Sequence, residues 1–115
     1  MSLFLNIQDI EEVCYEFAKR YLTFDEEIPE FQSRYEGKLE TALRIPQKTI
    51  GGKLMYQTLH GQAAVLFYEM IKLHPFLNGN KRIALVSLNV FLSFILKKIK
   101  IFFNLCLFGY TLLLV

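Results

Sequence analysis

The sequence predicts a single all-α domain, built as an antiparallel bundle of helices. Its 115 residues are enough for one domain and too few for two. Apolar residues make up 53% and charged residues 21%, which excludes an acidic or polar disordered chain. Apolar residues recur with helical spacing in two long segments, and a third long segment is apolar almost throughout.

The first helix is predicted to begin after Asn6, a capping residue, with Asp9 placed to interact with the positive helix end. Its apolar residues form a one-sided stripe, which consists of Ile10, Val13, Cys14, Phe17, Ala18 and Tyr21. Residues 23–29 are acidic and end in a proline, so we expect a loop there.

A short helix is predicted over residues 37–43, and Pro46 and the Gly51-Gly52 pair then interrupt regular structure. A second long helix is expected over residues 54–73, where Pro75 stops it. One face of this helix is apolar, and the residues on it are Leu59, Ala63, Leu66, Phe67, Met70 and Ile71.

Residues 74–79 form a predicted loop, and a third long helix begins near Asn80. This helix is apolar almost all round, so we expect it to lie in the middle of the bundle. Gly79 permits a tight turn before the helix, and the first N–H groups of the helix have no acceptors within it. Lys81 and Arg82 oppose the helix dipole in the first turn unless an anion lies beside them. These features together predict a phosphate site.

Side chains around this loop could carry chemistry on a phosphate ligand. His74 can accept a proton from an attacking hydroxyl near neutral pH. Asn78 and Asn80 offer amide oxygens to a hard cation such as magnesium and amide donors to phosphate. Phe76 is interpreted as an apolar anchor of the loop. Taken singly, each residue is common in ordinary surfaces and turns, so the prediction depends on their joint spacing.

The segment His-Pro-Phe-Leu-Asn-Gly-Asn-Lys-Arg, residues 74–82, resembles the signature of the Fic/Doc (Fido) family, His-Pro-Phe-x-(Asp/Glu)-Gly-Asn-(Gly/Lys)-Arg. Seven of the positions match. Lys81 in place of glycine is similar to the Doc branch, the death-on-curing toxins of toxin–antitoxin pairs. Residues 37–47 also resemble a stretch ahead of the signature in that branch, and the resemblance extends over about residues 7–94.

The resemblance implies a helical Fic/Doc fold and an enzyme that uses ATP and Mg²⁺. His74 would be the general base, and Arg82 would neutralise charge on the group being transferred. Gly79, Asn80, Lys81 and Arg82 would bind the nucleotide phosphates, and position 78 would bind the metal. Residues 44–53 would form a flap that docks the target segment as an added strand.

Three functions are compatible with the resemblance. The first is a Doc-type toxin that phosphorylates a threonine of elongation factor Tu and arrests translation. The second is a Fic-type adenylyltransferase that transfers AMP to Ser, Thr or Tyr. The third is an inactive remnant that only binds a partner or a membrane. Leu85 occupies a position where AMP-transferring members often have a second arginine, which favours the first.

The sequence departs from the family pattern at two places. Asn78 replaces the usual acid, which should weaken metal binding. Residues 95–115 lack the expected turn and acidic final helix, and the family-like domain is therefore predicted to span residues 1–94. Three interpretations of this hydrophobic tail are open: a core helix, a membrane-touching segment, or the product of a frameshift or truncation. We favour the last.

Other features set the expected location and partners. The absence of an apparent secretory signal and the unpaired spacing of Cys14 and Cys106 predict a cytoplasmic protein with reduced thiols. No inhibitory Ser/Thr-x-x-x-Glu helix is evident, so a cognate antitoxin is an expected partner. Direct binding of nucleic acid is not expected at a net charge of +2. The apolar stretch 101–115 is too short to span a bilayer as a helix, so we do not expect a membrane partner. The sequence lacks a P-loop motif and closely spaced zinc ligands, and His60 is predicted to be structural or exposed.

Overall fold

The computed structural model describes residues 4–23, 26–94, 96 and 97, and it confirms the predicted helical fold. Helix α1 is α-helical over Ile7–Asp9, π-helical over Ile10–Tyr15 and α-helical again over Glu16–Tyr21. Helices α2 and α3 span Lys38–Arg44 and Leu59–Leu73. Helix α4 covers residues 80–94. Short 3₁₀-helices occur at Phe31–Ser33 and Ile45–Gln47.

The start of α1 follows the predicted local chemistry. The Asn6 side chain accepts a hydrogen bond from the Asp9 backbone N–H at 2.8 Å, and the Asp9 carboxylate accepts one from the Asn6 N–H at 3.0 Å. These two bonds form a capping box, so donors that the helix itself cannot satisfy are paired at its first turn.

The predicted apolar stripe of α1 is wrong in part. Val13, Phe17 and Tyr21 are exposed by 43%, 48% and 62%, whereas Tyr15 is buried. The π-helical turn explains the difference, because it accommodates an extra residue and rotates the later side chains away from the α-helical register. As a result, Tyr15 packs into the core, whereas the three exposed residues of the predicted stripe do not.

A small hairpin is the one departure from an all-α chain within the described residues. Strands β1, Thr49–Ile50, and β2, Lys53–Leu54, pair antiparallel. Gly51 and Gly52 join them with φ of +58° and +81°, the positive values that a two-residue type I′ turn requires at both positions. Lys53 and Leu54 are thus part of the hairpin. Helix α3 therefore begins after its N-cap Thr58 rather than at residue 54 as predicted.

The core lies where the four helices face one another. Helices α2 and α3 pack together, and α4 contributes to the same cluster. The principal buried side chains are Ile10, Cys14 and Ala18 of α1, Leu39 and Ala42 of α2, Ala63, Leu66 and Met70 of α3, and Ile83, Ala84 and Phe91 of α4. Cys14 is a free thiol, as expected, and Cys106 lies outside the described residues.

The prediction that α4 is enclosed on all sides is wrong. Leu85 and Leu92 are exposed by 49% and 36%. The described helices pack on one side of α4, which buries Ile83 and Phe91, and these leucines lie on the opposite side. Apart from Leu96 and Lys97, the predicted tail lies outside the described residues. In the part of the chain described, no helix is long and apolar enough to cross a bilayer.

Candidate active site

The candidate site is an open cavity of about 600 Å³ at the start of α4. Most of its lining comes from the loop between α3 and α4 and from the first turn of α4, and one residue comes from the acidic loop after α1. The lining residues are Glu26, His74, Leu77, Asn78, Gly79, Asn80, Lys81 and Arg82. The structure therefore brings together all the site residues predicted from the sequence, and it adds Glu26.

His74 ends α3 in a left-handed backbone conformation. It is the C-cap, with φ of +51° and ψ of +61°, and it is the one non-glycine residue with positive φ in the described ranges. Such a conformation costs about 1–3 kcal/mol and is most often found where the surrounding structure needs it. The following Pro75 prevents α3 from continuing, so the exposed imidazole stands at the rim of the cavity.

A hydrogen bond decides which nitrogen of His74 can act as a base. Nδ1 lies 2.7 Å from the backbone oxygen of Ile71. Because a carbonyl oxygen can only accept, Nδ1 carries the hydrogen and donates it, and Nε2 of the neutral ring keeps its lone pair. The ring is thus oriented by its own helix and offers Nε2 as the proton acceptor.

Asn80 holds the loop in place through both ends of its side-chain amide. Its Oδ1 accepts from the Phe76 N–H at 2.8 Å, and its Nδ2 donates to the Phe76 oxygen at 2.8 Å. Asn80 is buried, so these two bonds satisfy backbone groups that would otherwise be desolvated without a partner. The side chain therefore fixes the loop. The group that Asn80 can offer to an anion is its backbone N–H, because it lies in the first turn of α4.

Phe76 anchors the loop in the core, as expected. Its side chain is 3% exposed, and its ring lies 6.4 Å from that of Tyr15 and 5.9 Å from that of Phe31. The preceding Pro75 accepts a hydrogen bond from the Tyr35 N–H at 2.9 Å. These contacts give the loop a fixed position relative to α1 and the 3₁₀-helix at residues 31–33.

Gly79 forms the turn into α4 where a side chain would clash with its surroundings. Its φ is +80°, and a Cβ atom at this position would lie 2.8 Å from Cγ1 of the buried Ile28. The first backbone hydrogen bond of α4 runs from the Ile83 N–H to the Gly79 oxygen at 2.9 Å. The N–H groups of the first turn precede this bond and are the donors that suit a phosphate.

Arg82 and Asn78 connect the helix start to the acidic loop. Nη1 of Arg82 donates to the backbone oxygens of Leu22 and Glu26 at 2.6 and 2.7 Å. Nδ2 of Asn78 donates to the Glu26 carboxylate at 3.0 Å and approaches the Glu27 oxygen at 3.5 Å. Glu26 was missed by the sequence interpretation, although the concentration of acids in residues 23–29 was the available signal.

The site chemistry fits an anionic ligand that brings its own cation. Backbone donors, Lys81 and Arg82 suit phosphate, and His74 lies at the same cavity. Among the described residues, no group of three or more His, Cys, Asp and Glu side chains could hold a metal unaided. His60 is exposed and does not line the cavity.

Comparison with known proteins places the chain in a family. The family model described as Fic/DOC matches residues 4–92. The chain belongs to the Fic/DOC family. The match includes the whole of the loop and the start of α4, and Fic/DOC proteins are generally transferases that move AMP or phosphate. No curated protein and no solved structure was found to match the chain.

Proposed function

We propose that this Fic/DOC protein is a Doc-type toxin that transfers phosphate from ATP to a protein hydroxyl. The proposed target is a threonine of elongation factor Tu, and its modification would arrest translation. The observation that carries the proposal is the hydrogen bond from His74 Nδ1 to the Ile71 oxygen, because it leaves Nε2 as a base at the rim of a phosphate-type cradle.

Each residue of the site has a distinct proposed part in the reaction. The target hydroxyl oxygen attacks the γ-phosphorus of ATP while its proton passes to Nε2 of His74. The bond between the γ-phosphorus and the bridging oxygen breaks, and ADP leaves with that electron pair. Backbone N–H groups after Gly79, together with Lys81 and Arg82, stabilise the negative charge on the phosphates. Magnesium, when bound with the nucleotide, supplies further neutralisation of that charge.

The exposed hairpin supports a proteinaceous target. Strands β1 and β2 form a two-stranded sheet in which Ile50 is 63% exposed. Each strand has an edge whose backbone groups can pair with an extended segment, as strand addition requires. We propose that the hairpin is the flap predicted over residues 44–53 and that it aligns the target hydroxyl. A cognate antitoxin, if it covers this surface or the cavity, would restrain the activity.

AMP transfer to Ser, Thr or Tyr is the second candidate, because the same base and cradle would serve attack on the α-phosphorus with pyrophosphate as the leaving group. The position of Leu85 favours the kinase: an arginine is often present there in AMP-transferring members, whereas Leu85 is a half-exposed apolar residue. The two candidates differ in which phosphorus atom stays on the target.

Labelling with two forms of ATP tests the proposal. The full chain is incubated with purified elongation factor Tu, Mg²⁺ and ATP labelled at either the α or the γ phosphorus. We expect label from the γ position alone, whereas label from the α position would establish AMP transfer. The His74→Ala variant should label nothing and keep its helical circular dichroism, and His60→Ala serves as the matched histidine control with full labelling. Transfer that persists in folded His74→Ala would contradict the assigned base.

A further inference from the structure

We infer that Glu26 supplies the carboxylate for a magnesium ion bound together with the nucleotide phosphates, in place of the acid missing at position 78. The inference rests on the proposed function, because the phosphates complete the coordination of the metal. Glu26 lies outside the signature, on the loop that follows α1. Its carboxylate lies 3.0 Å from Nδ2 of Asn78, in the wall of the cavity.

The orientation of the Asn78 amide follows from this contact. Nδ2 is the donor end, so it faces the Glu26 carboxylate, and Oδ1 remains as an acceptor on the same amide. A carboxylate and an amide oxygen side by side are the ligand types that magnesium prefers, and magnesium is usually bound by one or two carboxylates plus substrate phosphates. Glu26 and Asn78 therefore provide a two-residue site that a nucleotide would complete.

Charge balance gives a second reason for a cation at this place. Glu26 puts a negative charge into the same cavity as Lys81 and Arg82. Even with these two cations, a bound triphosphate leaves the cavity with an excess of negative charge, and its phosphates would repel the Glu26 carboxylate. A divalent cation held by the carboxylate together with the phosphates would offset this repulsion.

Residues 26–29, which include Glu26, are held against the signature residues. Ile28 is 1% exposed and lies against Gly79, and the Tyr15 hydroxyl donates to the Pro29 oxygen at 2.6 Å. Arg82 Nη1 donates to the Glu26 backbone oxygen at 2.7 Å. The carboxylate is thus attached to a backbone that is held from both the helix start and the core, as a metal ligand requires.

A binding experiment separates this inference from the proposed function. ATP affinity is measured by calorimetry on the full chain with Mg²⁺ and again with EDTA, and bound Mn²⁺ is counted by electron paramagnetic resonance in the presence of ATP. We expect Glu26→Gln to weaken Mg·ATP and Mn²⁺ binding by about tenfold or more, because tenfold is the smallest loss typical even for residues that only support a metal ligand. In EDTA the same variant should bind ATP as well as the wild type or better, because a repulsive charge has been removed.

Two variants make the test specific. Glu27→Gln removes the same charge one residue further on and should leave Mn²⁺ binding within about twofold of the wild type, because the Glu27 carboxylate does not line the cavity and only its backbone oxygen approaches Asn78. Asn78→Asp in the Glu26→Gln background should restore Mn²⁺ binding, because it returns a carboxylate to the other side of the same contact. Unchanged Mg·ATP affinity in Glu26→Gln, or a gain with Mg²⁺ as well as with EDTA, would overturn the inference while the phosphate cradle stands. A wild-type chain that binds ATP under neither condition would overturn both.

Discussion

Replacing Gly79 with alanine tests how the phosphate cradle is built. Two separate costs are expected from the structure. The positive φ of +80° is unfavourable for a residue with a Cβ by about 1–2 kcal/mol. The new Cβ would also lie 2.8 Å from Cγ1 and 3.2 Å from Cδ1 of Ile28, and forcing a methyl group into a packed core costs about 1–3 kcal/mol.

Ile28 cannot relieve the contact easily, because it is branched at Cβ and only 1% exposed. The two costs therefore add, and Gly79→Ala should lower the free energy of unfolding by about 2–5 kcal/mol. The measurement is urea denaturation of the full chain, followed by circular dichroism.

Gly52→Ala is the matched control for this prediction. Gly52 has nearly the same φ, +81°, but a Cβ there would have no atom within 4 Å. It should therefore show the backbone cost alone, and the variants should differ by about 1–3 kcal/mol, the packing contribution of Ile28. Equal destabilisation by the two substitutions would refute the close packing of Gly79 on Ile28.

Three further predictions concern the support of the site and the core. Asn80→Ala should destabilise the fold by about 2–4 kcal/mol in urea melts, because both backbone groups of Phe76 lose their partner. Tyr15→Phe should cost about 1 kcal/mol in the same assay, through loss of the bond to Pro29. Burial raises the pKa of the Cys14 thiol from 9.0 to about 11, so the folded state retains a proton that the unfolded chain releases. The free energy of unfolding should be level with respect to this group below about pH 9 and fall by about 2 kcal/mol toward pH 11, and Cys14→Ala should remove that contribution.

Features decided by nearby residues could be predicted from the sequence. The cap at Asn6, the end of α3 before Pro75 and the turn at Gly79 each depend on side chains or dihedral angles within four residues. Recognition of the signature depended on the same kind of local spacing. The apolar anchor at Phe76 was also predictable, because burying a large aromatic side chain in the core is strongly favourable.

Features decided by competition or by distant contacts could not be predicted. The start of α3 was placed too early because the hairpin takes up Lys53 and Leu54, and its pairing is formed with residues across the turn. The π-helical turn in α1 changed which residues face the core, and nothing in the apolar pattern marks it. Glu26 reaches Asn78 across 52 positions of sequence, so only the folded chain brings the two together.

Nitrogen NMR of the histidine rings tests the central claim most directly. The chain contains two histidines, so ¹⁵N-histidine labelling and a His60→Gln variant assign both rings. We predict that neutral His74 carries its hydrogen on Nδ1, with Nε2 unprotonated, and that its resonances shift on addition of ATP with Mg²⁺ while those of His60 do not. A hydrogen found on Nε2 instead, or a His74 signal that ATP leaves unchanged, would contradict the account of His74 as the base beside the phosphate cradle.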